Sequence, residues 1–370
     1  MKIRAVRLVA ILAAGLIPAA GCASAGNAAP VGQAATRTAD QAQHQYLYVT
    51  NQSSATVTVI DMETDEVVDT VDLQALGFSA NCKPHDIAVE PDGSFWYVSL
   101  IADGFVLKFD RDNELVGRAP FETPGLLQLD PSSDLLYVGR SMAAVNPPQR
   151  IGVIERPTMD IDEVDVFVAR PHALAVSHDG KYVYTASLAT NDMVVYRPET
   201  GESEVIHVPG TDEHPHTFVD FEVSPDGRSL IATTEMTSKL LVMDETKPAT
   251  IPIVHTTDVP QSPWHPAFSP DGSRLYFGNL RANAVTFIDT SDWSIARVVE
   301  DPRFAQPHGI AVSADGKKLY VGNRNTSAKD EDGNAVDGFV AVIDTSTGNV
   351  IKLIEADHYP AGMGTNTRVD

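Results

Sequence analysis

The sequence predicts an all-β chain: a seven-bladed β-propeller of four-stranded antiparallel blades, its ring closed by the C-terminal segment pairing with the N-terminal blade. Three observations carry this. First, one segment recurs seven times, beginning at Tyr48, Tyr97, Tyr137, Tyr184, Ile231, Tyr276 and Tyr320, at spacings of 40 to 49 residues. A fixed period of that size marks repeated supersecondary units. Second, Asp-Gly turns precede most copies, at Asp92-Gly93, Asp179-Gly180, Asp226-Gly227, Asp271-Gly272 and Asp315-Gly316. Asp-Gly between short apolar runs is a hairpin cue. Third, the runs around these turns alternate apolar and polar residues, which is the pattern of strands buried on at least one face.

Each unit then reads as four strands. The first precedes the Asp-Gly turn, and the recurring segment is the second. The third is a run such as Thr56-Val57-Thr58-Val59-Ile60-Asp61, and the fourth a run such as Val67-Val68-Asp69-Thr70-Val71. Four short strands per unit at this period is the propeller pattern. Two β-sandwiches would leave the period unexplained. The first unit, from Tyr46, lacks its opening strand. Tyr359-Pro360-Ala361-Gly362-Met363-Gly364 has the form of one. Pairing it with the N-terminal three strands closes the ring and removes exposed edges.

Ahead of the repeat, Lys2, Arg4 and Arg7 precede an apolar run, Leu8 to Ile17, that is too short to span a bilayer. Ala19, Ala20 and Gly21 then lead to Cys22. This arrangement resembles a bacterial lipoprotein signal. The resemblance implies that residues 1–21 are removed, that Cys22 is lipidated, and that residues 22–43 form a flexible tether to a propeller over residues 44–370. Ala23 in place of Asp implies an outer-membrane lipoprotein in a Gram-negative host, facing the periplasm or the cell surface. Secretion with cleavage at a nearby small residue is the alternative.

The chain carries 50 acidic and 27 basic residues, a formal charge of −23. That excess argues against nucleic acid, whose binding rests on Lys and Arg neutralising phosphates. It argues equally against electrostatic docking on anionic lipid, so membrane contact is expected only through the anchor. Two cysteines make no disulfide framework. Cys82 is either a soft ligand or a buried inert thiol.

The run from Pro307 to Asn323, Pro-His-Gly-Ile-Ala-Val followed by Asp-Gly-Lys-Lys-Leu-Tyr-Val-Gly-Asn, and its weaker copies resemble the YVTN β-propeller repeat family. The resemblance covers Tyr46 to about Gly364. A weaker likeness to lactonase-type and virginiamycin B lyase-like propellers is strongest over Lys83 to Trp96. These resemblances imply a fold. They do not imply a reaction, because one fold hosts many chemistries.

Chemistry is expected where the first strands of all blades meet around the central channel. Seven residues before the turn Asp of each first strand stand His85, His172, Val219, Trp264 and His308, with Gly125 in the variant third blade. Three imidazoles in register, with His216 and His265 as satellites, are candidate ligands for Zn²⁺ or Cu²⁺. An open-site metal can polarise a carbonyl or activate water. The alternative is that Pro-His is a habit of the repeat, each imidazole bonding a neighbouring blade's backbone. At the ends of the second strands, Asn51, Asn279 and Asn323 keep the repeat, Arg140 replaces the Asn, and Arg281 and Arg324 follow it. With Trp264, Arg281, Arg324 and the three Asn are candidate ligand-binding residues. Arg140, and Glu235 as general base, are candidate catalytic residues. Two long loops, Ser141 to Gln149 and Asn325 to Gly338, follow Arg140 and Arg324. Within the second, Asp330, Asp332, Asn334 and Asp337 are a weak Ca²⁺ candidate.

The reading is thus an exported, anchored monomer that binds a small molecule, a metal ion or an envelope protein at its channel mouth. The alternative is a metal-dependent lyase or lactonase-like hydrolase using the His ring.

Overall fold

The computed structural model describes residues 44–210 and 214–366. The expected signal and tether, with Cys22, lie outside the described residues. The described chain forms seven four-stranded antiparallel sheets and no helix. Within six sheets the strands follow chain order from the channel outward or the reverse numbering of the same meander, as expected of consecutive hairpins. The seventh is mixed in origin: Pro360–Thr365 lies inside Tyr46–Asn51, Thr56–Asp61 and Glu66–Asp72. The pairing is antiparallel, with Leu47 opposite Thr365 and Asn51 opposite Pro360. The C-terminal strand therefore closes the ring as the sequence predicts. We number the blade it completes as one and the rest in chain order.

The innermost strands of blades two to seven are Pro84–Val89, Pro124–Leu129, Pro171–Val176, Phe218–Val223, Pro263–Phe268 and Pro307–Val312. Each packs beside the innermost strands of its two neighbours, with Pro360–Thr365 completing the circuit. The apolar core is divided accordingly into seven clusters, one between each pair of adjacent blades. Middle strands such as Tyr276, Phe277 and Val285, Phe287 are buried on both faces, because alternate side chains enter alternate interfaces. Fourth strands such as Asp160–Asp165 stay largely exposed.

Two local devices repeat around the ring. In the Asp-Gly turns, Gly93, Gly180, Gly227, Gly272 and Gly316 all take positive φ, which a side chain resists. More telling for function, the residue before every innermost strand is also left-handed although none is glycine. These are Lys83, Thr123, Arg170, Thr217, Ser262, Gln306 and Tyr359, at φ between 48° and 65°. A register shift follows at once, between Pro84 and Ile87, for example, and between Pro307 and Ile310. Such bulges re-aim side chains. Here they sit where the strand enters the channel, around the register position singled out in the sequence.

Candidate functional site

A cavity of about 230 Å³ lies at this mouth, lined by His85, His172, Trp264, His265 and Arg324, with Gln52, Tyr359 and the Ser141–Ala143 start of the first long loop. The register argument therefore brings three of its residues, His85, His172 and Trp264, to one place with the satellite His265, and Arg324 joins them from the end of a second strand; His308 does not line the cavity. What each can do there follows from its partners.

His172 Nδ1 lies 2.7 Å from the carbonyl oxygen of Arg140 in the preceding blade. His308 Nδ1 lies 2.9 Å from that of Ala361 in the following one. His85 Nδ1 meets Gln52 Oε1 at 3.3 Å, and His265 Nδ1 meets Asp220 Oδ2 at 2.8 Å. Since each partner is an acceptor, each Nδ1 is the donor. In a neutral ring Nε2 is then the bare lone pair. Burial holds the His85 and His308 rings well below the usual imidazole pKa, with the nearby Arg324 charge adding to the effect. Burial likewise lowers His172 to about 4. The Nε2 atoms of His85 and His308 are buried without a partner. The repeat-habit alternative thus describes one nitrogen each of His172 and His308, and the other nitrogen of His308 is left unpartnered.

The three-histidine set expected from register is not assembled. Among the described residues no group of three or more His, Cys, Asp or Glu is placed to hold a metal ion. The rings in contact are His85 with His308, centroids 6.3 Å apart, and His308 with His265, 4.8 Å apart. The reason lies in blade one. Ala361 and Gly362 occupy its matching positions, so no ring separates the imidazoles of blades two and seven. His172 is turned toward Arg140 instead. His216 is not a ligand in this geometry, because both its nitrogens are taken, by Thr237 Oγ1 at 2.8 Å and the Pro209 carbonyl at 2.9 Å.

Arg324 stands in the mouth wall with Trp264 at 5.3 Å and Tyr359 at 4.5 Å from its guanidinium. Its Nε is buried without a partner, and no carboxylate lies within ion-pair distance among the described residues. Burial lowers its pKa to about 10. Trp264 is 6% exposed and packs on His308 at 5.1 Å.

Other expectations are corrected. Arg140 is fully buried inside blade three. It donates to the carbonyls of Glu122 and Arg150, pairs with Glu163 at 2.8 Å and covers the Phe121 ring. Its side chain is spent on its own blade, so it takes no catalytic part at the mouth. Asn51, Asn279 and Asn323 are also fully buried. Asn51 donates to Thr56 and Thr58, Asn279 to the Pro260 carbonyl, and Asn323 to that of Val321. They tie strands together and do not face a ligand. Glu235 and Arg281 form a rim ion pair at 3.3 Å outside the cavity lining. In the Asn325–Gly338 loop, Asp330 accepts from Asn334 and Asp332, and Asp337 lies 2.7 Å from His358, so these oxygens serve the loop itself. Asp332 donates only its backbone to that turn, and no Ca²⁺ cage forms. Cys82 is buried in the interface of blades one and two, and burial raises its thiol pKa to about 12. It is the inert thiol of the two alternatives.

Below the mouth, a second cavity of about 240 Å³ follows the channel and shares His265 with the first. Asp86, Asp220, Glu222 and Gln128 line it. Burial raises Asp86 to about 7 and Glu222 to about 8. These residues are one and three positions past the register in their strands. Sequence reasoning stopped at the register itself. An acidic residue where other copies carry Ala or Gly was the available signal.

No family model matches the chain. It is 25% identical over 281 residues to Antigen Lp49 of Leptospira interrogans serogroup Icterohaemorrhagiae serovar copenhageni, across 74% of this chain and 50% of Lp49. It is 21% identical over 136 residues to uncharacterized protein YncE of Salmonella typhimurium, 34% of either chain. The chain thus spans about half the length, or less, of the curated relatives it matches. Among solved structures, a functionally unknown protein from Desulfotomaculum acetoxidans aligns with TM-score 0.70 at 12% identity, covering 86% of this chain and 98% of that one. Dihydro-heme d1 dehydrogenase NirN in complex with DHE aligns with TM-score 0.61 at 13% identity, covering 90% and 77%. At such identities the likeness shows the propeller fold and carries no chemistry.

Proposed function

We propose that this chain is an exported, lipid-anchored binding module whose channel mouth takes a small ligand bearing a carboxylate or similar anion. One observation carries the reading: Arg324, an enclosed guanidinium held between Trp264 and Tyr359, has no carboxylate partner among the described residues of a strongly acidic protein. Arg324 is half-buried and the carboxylate that acts on it, Glu235, lies beyond ion-pair distance, so an anion at the mouth would supply the close counter-charge, and a planar fork suits a carboxylate. Trp264 supplies an apolar wall for the body of such a ligand, and the bare imidazole nitrogens supply acceptors for its donor groups. Export and anchoring rest on the residues around Cys22.

The test is calorimetric titration of the full chain with benzoate, citrate, inorganic phosphate and haemin. Haemin is included because a solved propeller neighbour is named for a haem, which is planar and carries carboxylates. At least one is expected to bind, with affinity falling about 10- to 100-fold in Arg324→Gln, as for loss of a charge-assisted bond. Equal affinity in wild type and Arg324→Gln, or no binding by any probe, would refute the reading.

A second reading has its own observation. His265, oriented through Nδ1 by Asp220 at 2.8 Å, presents its other nitrogen as a base beside the mouth. That arrangement suits a lyase or lactone hydrolase. Turnover of a lactone panel that Asp220→Asn abolishes would favour it over simple binding.

A further inference from the structure

We propose that the face around the mouth docks the carboxyl-terminal end of a polypeptide, with its terminal carboxylate at Arg324 and its preceding apolar side chains on Val145 and Phe167. This rests on the anion reading and names the class of that anion.

The apolar side chains left in solvent are the starting point. Outside the strands, the large ones exposed among the described residues are Leu76, Val145, Phe167, Met236 and Val336. All five lie in loops that join a second strand to a third, or a fourth strand to the first of the next blade. Those loops form the face on which the mouth opens. The turns of the opposite face expose none among the described residues. Single exposed apolar residues are ordinary, but their gathering on one face marks an interaction surface.

Val145 and Phe167 are the two most exposed of these, at 88% and 62%. Their loops are bound together: the Val166 N–H donates to the Gln149 carbonyl at 2.9 Å, and Arg170 Nη2 to that of Met142 at 2.6 Å. Phe167 stands between buried Val166 and Val168 at a φ of 59°, a conformation that a bulky side chain resists. The result is an aromatic ring held out in water.

Chain connectivity ties this pair to the cavity, which Ala143 and His172 line. An extended chain spans at most about 3.6 Å per residue, so between Cα atoms Val145 lies within about 7 Å of Ala143, and Phe167 within about 18 Å of His172. About six residues of extended peptide cover that reach. A small anion in the cavity stops short of the rim. A polypeptide end reaches both, and its terminus is where a free carboxylate is followed at once by a row of side chains. Arg324, flanked by Trp264 and Tyr359, is the charge complement for that carboxylate. Charge argues against a membrane as the occupant, because exposed Asp330, Glu331, Asp332 and Asp337 share a loop with Val336 and repel anionic head groups.

The experiment is fluorescence anisotropy of the full chain with an equimolar pool of labelled hexapeptides, their last four positions drawn from Leu, Val, Met and Phe and their terminal carboxylate free. Benzoate, citrate and inorganic phosphate are titrated alongside. The pool is expected to bind, and the same pool amidated, or one drawn from Ser, Thr, Asn and Gln, to bind at least 10-fold more weakly. Val145→Ser and Phe167→Ser change exposed residues, so the fold is kept. Each is expected to weaken the apolar pool at least fivefold and to leave small-anion affinity within twofold. Val254→Ser, exposed on the outer strand of blade five, is expected to change neither. No peptide binding, equal binding of the amidated pool, or binding undiminished in both rim variants overturns the proposal. So does binding to phosphatidylcholine vesicles that the rim variants abolish, since the face would then serve lipid. Small-anion binding lost in Arg324→Gln beside any of these results leaves the anion reading standing, and its absence removes both.

Discussion

Replacing Arg140 by Met separates a structural arginine from a ligand-binding one. The side chain makes three polar contacts, to the Glu122 and Arg150 carbonyls and to Glu163, and covers Phe121 at 3.9 Å. Breaking a buried charge pair costs about 3–5 kcal/mol when the abandoned partner stays buried. Glu163 is 36% exposed, so water recovers part of its solvation. Met also keeps apolar volume against Phe121. The expected loss is therefore about 2–4 kcal/mol. At about 2.1 cal/mol/K of unfolding entropy per residue, over about 320 described residues, that lowers the melting temperature by about 3–6 °C. The assay is urea and thermal unfolding followed by circular dichroism, with anion titrations alongside. The Arg140 carbonyl that holds His172 is backbone and survives, so binding is expected to stay within about threefold. Unchanged stability together with a tenfold or greater loss of binding would refute this account and return Arg140 to the mouth.

Three further outcomes are expected. Glu222 has its pKa raised from 4.5 to about 8 by burial, so the folded state binds the extra proton and loses stability as pH rises between those values. Glu222→Gln is expected to match wild type near pH 4 and to exceed it by several kcal/mol above pH 8, up to about 5 kcal/mol for the full shift; urea midpoints across that range that stay parallel would contradict the burial argument. The Cys82 thiol, in a Cys22→Ser background, is expected to resist a thiol reagent at pH 8 in the folded protein and to react fully in urea; rapid labelling of native protein would show the blade interface open. Gly362→Ala places a methyl against backbone that no rotamer change can relieve, with an expected loss of about 2–3 kcal/mol, checked by urea unfolding against wild type.

The closing strand shows how far local pattern can reach. Pro360–Thr365 is about three hundred residues from its partner, yet a missing opening strand at Tyr46 and a spare one at Tyr359 implied the pairing by counting. The histidines show where counting fails. Register placed His85, His172, Trp264 and His308 around one axis, and they are there. It said nothing of which nitrogen is spent or of what stands between neighbours. Arg140 and Arg324 look alike in the chain, each at the end of a second strand. One is folded into its blade beneath Phe121 and Glu163, and the other is held at the mouth by Trp264 and Tyr359.

Sequence alone determined the blade number, the strand order, the closure and the ring position of each copy, because period and alternation are properties of one chain read along its length. Tertiary structure decided the pairing of His85 with His308, the coupling of Asp220 to His265 and the fate of each arginine. Those depend on contacts between blades, where a glycine in one strand sets how closely the side chains of two others approach, and no local pattern in any of the three strands records that distance.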